Sequence, residues 1–136
     1  MKSHLVTLLL IATLAGCQST GAPDAHVASL NQEIPLAPGE HAAFSQQRLD
    51  LEFIRVIEDS RCPSDANCVW AGEVKLQVAT RLNAAAAEQH EITSARPATV
   101  GAFRIVVVQV QPEKISTREI PAEDYRVTLK VEPASG

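Results

Sequence analysis

The 136-residue chain, 46% apolar, can enclose one small core and little more. Its 12 basic and 16 acidic side chains leave a net charge of −4, and no basic cluster stands out against it. Those facts exclude a multidomain machine and argue against nucleic acid or anionic lipid as an electrostatic partner.

The first residues set the compartment. Met1-Lys2 supplies a positive charge, Leu5 to Leu14 is apolar apart from Thr7 and Thr13, and Leu14-Ala15-Gly16-Cys17 follows. An apolar run of about ten residues is too short for a spanning helix, which needs about twenty. The charged start, short apolar run and small residues predict a secretory signal peptide over 1–16. An ordinary signal cut near Ala15, with an incidental cysteine, is the alternative. The Leu-Ala-Gly-Cys ending resembles bacterial lipoprotein signals. That resemblance implies cleavage after Gly16 and diacylation of the Cys17 sulfur, with palmitate as the expected modification. One acyl chain binds a membrane only marginally, while two or three, at about 0.8 kcal/mol per buried methylene, hold it. Lipoproteins kept in the inner membrane typically carry aspartate after this cysteine, and Gln18 stands here. The expected address is the outer membrane facing the periplasm, ahead of the inner membrane.

Loss of 1–16 removes Lys2 and leaves 11 basic against 16 acidic side chains. Residues 17–31, small and polar without periodicity, predict a lipidated flexible tether, and 32–136 the folded domain. Glu33 to Leu36 and Ala42 to Phe44 read as weak strands, the first confined to an edge by Pro35. Leu49 to Ile57 starts with Leu49, Leu51 and Phe53 inward, then changes phase, which predicts a bulge near Phe53-Ile54 or burial on both faces. Val74, Leu76, Val78, Thr80 and Leu82 alternate with polar residues over the next strand. NAAAA, Asn83 to Ala87, reads as a loop, and Gln89 to Thr93 as a weak strand. Phe103 to Val110 (FRIVVVQV), apolar on both faces in its middle, predicts a central strand. Tyr125, Val127, Leu129 and Val131 alternate with polar residues in the last strand. Six or seven short strands without helical period predict an all-β fold, a small antiparallel β-sandwich. Immunoglobulin-like topology is a candidate order for it.

The segment DSRCPSDANCVWAG, Asp59 to Gly72, joins two of these strands. With Cys17 lipidated, Cys62 and Cys68 remain as an even pair, and an oxidising compartment makes a disulfide the default. A metal pair and a redox couple are the alternatives. Pro63 sets a turn, and Ser64, Asp65 and Asn67 are turn formers. Closing a loop of seven residues contributes about 2.4 kcal/mol by chain entropy. Trp70 is expected over the disulfide from the inward face, with Gly72 leaving room beside it. Asp59 can cap the turn or pair with Arg61. Arg61, Pro63, Asp65 and Asn67 form a candidate contact loop.

Asp-Ser-Arg-Cys-Pro, four residues, then Cys-Val-Trp-Ala-Gly resembles a segment of small, largely uncharacterised bacterial lipoproteins. The next strand and Tyr125-Arg126-Val127-Thr128-Leu129 are similar as well. The resemblance implies that group's fold and lipid anchoring and brings no activity.

Chemistry finds little purchase. The spacing of five between cysteines, the acidic flank and the lack of a following helix are unlike a redox Cys-x-x-Cys. His26, His41 and His90 are scattered, where a metal site needs three or four ligands at suitable spacing. Asp59 and Asp65 are too few oxygens for calcium. No nucleophile elbow, zinc-protease motif or phosphate loop occurs. Glu58-Asp59 and Glu123-Asp124 read as solvated turns. No enzyme, no cofactor and no metal is expected. The expected function is a lipid-anchored, non-catalytic binding or structural module of the bacterial envelope. Its expected partners are the membrane, through Cys17, and an unidentified envelope protein or small ligand. The alternatives are an inhibitor of an envelope or secreted enzyme, acting through the Cys62–Cys68 loop, and a periplasmic metal-binding protein.

Overall fold

A computed structural model of the chain describes residues 25–135; the signal, Cys17 and residues 18–24 lie outside them. Nine strands form: β1 His26–Val27, β2 Glu33–Leu36, β3 His41–Phe44, β4 Leu49–Asp59, β5 Val74–Leu82, β6 Glu88–Thr93, β7 Ala98–Val100, β8 Phe103–Gln111 and β9 Arg126–Pro133. They make two sheets, one in the order β1-β3-β4-β5-β6 and the other β2-β9-β8-β7. The all-β sandwich expected from period-2 alternation is the observed architecture. Its connections are not those of an immunoglobulin domain, whose sheets interleave strands distant in sequence. From β2 to β9 the strands instead follow one another around the core in chain order, with β2 meeting β9. That is the order of a flattened up-and-down barrel.

Each sheet turns its alternate side chains inward. Leu49, Leu51 and Phe53 of β4 and Val74, Leu76, Val78 and Thr80 of β5 are buried against Leu36, Ile105, Val127, Leu129 and Val131 of the other sheet. Thr80, the polar member of the β5 face, is satisfied by His90 at 2.8 Å. The register of β4 on β5 slips between Phe53 and Arg55, at the place where the alternation changes phase, and again between Val56 and Glu58. A bulge re-aims the strand each time, so Asp59 at its end is paired opposite the inward Val74.

Three expectations need correction. Residues 26–31 are not tether: β1 adds to the first sheet in parallel with β3, and Ala28 is buried in the core. The folded domain therefore starts earlier than residue 32. Val106 and Val107 of FRIVVVQV are only half-buried and Val108 is exposed. The strand is interior to its sheet, between β9 and β7, as expected, but β7 pairs only with Phe103 to Ile105, a bulge lies between Val107 and Gln109, and its middle is not buried on both faces. The strand count rises from six or seven to nine through β1 and β7, each too short to carry a periodic signal.

Candidate functional site at the disulfide end of the sandwich

Beyond Asp59 the β4–β5 ladder continues. Ser60 N–H donates to Glu73 O at 2.9 Å and Cys62 N–H to Ala71 O at 2.9 Å. Gly72 makes this possible with φ of +70°, and a β-carbon there would overlap the Ser60 carbonyl. Its role is thus backbone conformation and close approach, rather than room for an aromatic ring. Cys62 and Cys68 are joined as a disulfide, with α-carbons 5.8 Å apart. With the two sulfurs bonded to each other, neither is a free thiolate for a metal.

The loop is held to the rest of the domain by one polar cluster. The Asp59 side chain is only 7% exposed. It accepts from Arg61 Nε at 2.9 Å, Arg61 Nη2 at 2.7 Å and the Tyr125 hydroxyl at 3.0 Å. Arg61 spends its other donors on Val110 O at 2.8 Å and Pro112 O at 3.1 Å. Lys114 Nζ donates to the Asp59 carbonyl at 2.7 Å. Further out, Ser64 N–H reaches Lys114 O at 2.8 Å, and Asp65 accepts from Ser116 N–H at 2.9 Å and its hydroxyl at 2.7 Å. The disulfide loop is thereby fastened to the β8–β9 connection.

Electrostatics follow from these contacts. Burial pushes the Asp59 carboxyl up, but hydrogen bonds from the Arg61 side chain and backbone and from Tyr125 outweigh it, and the net shift is downward. Burial first, and then the bond to the Asp59 carboxylate, push the Tyr125 phenol up to about 12. Hydrogen bonds from the Ser116 hydroxyl and N–H hold Asp65 below the usual range.

Several expected roles change place. Arg61 is not a free contact residue, because each of its three side-chain nitrogens donates to one of the domain's own acceptors. Asp65 faces Ser116, and Pro63 is half-buried in a turn closed by Ala66 N–H on Pro63 O at 3.1 Å. Asn67 alone of the four is exposed without such a bond. Asp59 is no solvated turn residue. Trp70, expected over the disulfide from the inward face, is 83% exposed, and Val69 beside it is 91% exposed. The physical reason is that the inward alternation begins only at Val74; the left-handed Gly72 ends any continuation of that phase toward residue 70. Trp70→Ala should therefore change stability by no more than about 0.5 kcal/mol in a urea melt. A cost of several kcal/mol would restore a core role.

No protein-family model matches the chain, and no curated protein or solved structure is significantly similar to it. Function has to come from the site.

Two open grooves flank the β8–β9 connection. One of about 1150 Å³ is lined by Val110, Pro112, Ile120 and Pro121 with Arg118 and Arg126 among its polar groups. The other, about 610 Å³, lies over Asp59, Lys114 and Tyr125. Sequence reasoning paired Asp59 with Arg61 but missed Lys114 and Tyr125. The signal for Tyr125 was its place at the first inward position before β9, opposite an acid at the inward end of β4.

Among the described residues no three His, Cys, Asp or Glu side chains converge as metal ligands. His26 Nε2 lies 3.6 Å from Glu40 Oε2, and His41 Nε2 lies 4.0 Å from Glu52 Oε1. No helix among the described residues is long and apolar enough to cross a membrane. Cys17, the expected lipidation site, lies outside the described residues.

Proposed function

We propose that the chain is a lipid-anchored lipoprotein of the bacterial envelope that acts as a non-catalytic binding or structural module. Its contact surface is the Val69–Trp70 knuckle. The observation that carries the contact role is the knuckle's construction. Two large apolar side chains stand in solvent just after Cys68, on a strand connection stapled by the Cys62–Cys68 disulfide and braced by the Asp59–Arg61–Tyr125 cluster. An exposed tryptophan beside a disulfide-stapled turn presents a large apolar ring with few rotatable bonds to order on binding, the property that favours aromatic anchors at interfaces. The Leu-Ala-Gly-Cys ending supports the anchor. Labelling cells with an alkyne fatty acid should tag the wild type and leave Cys17→Ser untagged. Equal labelling of the two would remove the lipoprotein reading and the outer-membrane address with it.

The same closed loop supports a second reading, an inhibitor that fills an enzyme cleft. Its inserted residue would be Trp70 rather than Arg61, since Arg61 is committed to Asp59, Val110 and Pro112. A protein captured from envelope extract by the wild type and by Arg61→Lys, but lost with Trp70→Ala, favours that reading. The metal-binding alternative is left without its cysteines.

A further inference from the structure

We propose that the Val69–Trp70 knuckle rests in the interfacial layer of a bilayer, a second attachment beside the acyl chains on Cys17. The inference rests on the lipoprotein reading and names what its contact surface meets.

The chain length outside the structure supports it. Cys17 stands eight residues before Ala25. Even fully stretched, those residues reach about 29 Å at most, so an acylated Cys17 keeps the whole domain against its membrane. The knuckle then meets lipid at a high effective concentration, as the second half of any two-point attachment does.

The chemistry of the tip fits that neighbour. Ala66 to Gly72 is a run without a charged side chain, and all seven residues are exposed. Of the three charged side chains between β4 and β5, Arg61 is tied to Asp59, Asp65 is bonded at the surface to Ser116, and Glu73 sits at the base of the connection beside β5. Tryptophan belongs at the headgroup level, where its ring is half in hydrocarbon and its N–H stays wet. The domain's acidic excess predicts a zwitterionic rather than an anionic surface.

Geometry then sets the domain's attitude. His26 pairs with Ala42 and Ala42 with Leu51, so the chain enters level with Leu51, eight residues short of Asp59 along β4. The two bulges shorten that stretch to the six steps between Thr80 and Val74 on the paired strand, roughly 20 Å at about 3.3 Å per residue, and the knuckle lies farther on. The tether and the knuckle can touch one membrane together only if the sandwich leans toward the membrane plane. The acyl chains hold the protein; the knuckle orients it.

Trp70 is the sole tryptophan, so its fluorescence reports the contact directly. The protein is purified from membranes, its acylation read by intact mass, and then reconstituted in phosphatidylcholine vesicles with or without brominated acyl chains. The expected result is blue-shifted emission in both, with most of it lost in the brominated vesicles, and with iodide quenching weaker than for unanchored Cys17→Ser protein. In the Val69→Ser variant the bromine quenching should weaken. Acylated protein whose emission is unchanged by bromine overturns this inference alone. So does a tryptophan that is shielded in native envelope fragments but unquenched in vesicles, which would assign the knuckle to a protein partner. A product without acyl chains overturns both this inference and the lipoprotein reading.

Discussion

Asp59→Asn should lower the unfolding free energy by about 3 kcal/mol at neutral pH, read as a shift in urea midpoint at unchanged slope. The amide keeps the shape but loses the charge that Arg61 and Tyr125 address, leaving a half-buried guanidinium with a poorer partner. The figure is set at the low end for a broken buried pair because the Arg61 side chain is still 20% exposed. The sign with pH follows from the downward shift of Asp59. A carboxyl with a depressed folded value contributes fully above its ordinary value of 3.8, and the contribution is lost as pH falls through the lower folded value. The gap between wild type and Asp59→Asn should thus be wide at pH 7 and close in strong acid. A gap that stayed constant down to pH 2 would show that the amide acts through packing instead. Tyr125, the only tyrosine, gives an independent reading by ultraviolet titration. Its ionisation near 12 should fall toward 10 in Asp59→Asn, because one cause of the upward shift is gone. The phenol's sign is opposite: its contribution is complete below 10 and disappears as pH rises through about 12.

Gly72→Ala should cost about 3 kcal/mol, more than a left-handed glycine usually does. The φ of +70° accounts for about 1 kcal/mol of this, and the rest comes from forcing the new β-carbon against the Ser60 carbonyl. Ser60 N–H and its hydroxyl both bond Glu73 O, so the collision opens the ladder that carries the disulfide loop. Gly39 is the built-in comparison, with φ of +83° and open space where a β-carbon would go. Gly39→Ala should cost about 1 kcal/mol in the same urea melts. Equal costs at the two positions would mean that the Ser60 overlap relaxes freely and only the backbone angle matters.

Much of the fold was legible because period-2 alternation is a direct image of a half-buried sheet. The β5 pattern from Val74 to Leu82 gave both the boundaries and the inward set, down to the buried Thr80. The phase change in Leu49 to Ile57 announced a bulge, though not that there would be two. The cysteines gave their own pairing by count. What failed was of another kind. Trp70 lies an even number of residues from Val74, so parity alone put it inside; parity does not carry across a left-handed glycine. Arg61 looked like a presented charge because its acceptors, the Val110 and Pro112 carbonyls, are about fifty residues away and no sequence pattern marks a backbone oxygen. Tyr125 and Lys114 come to Asp59 for the same reason, through topology rather than proximity in the chain. β1 escaped notice because two residues joining a ladder need no periodicity, only an edge to lie against.

The pairing of β2 with β9 reaches across almost the whole domain, from Glu33 opposite Lys130 to Leu36 opposite Val127. Its consequence is kinetic. Until residues 126–133 are free to pair, β2 and β8 both lack the neighbour that separates them in their sheet. Contacts so far apart in sequence must prepay loop closure before they return anything, so domains built on them fold late and slowly. Closure of the second sheet therefore waits on the last strand to be made.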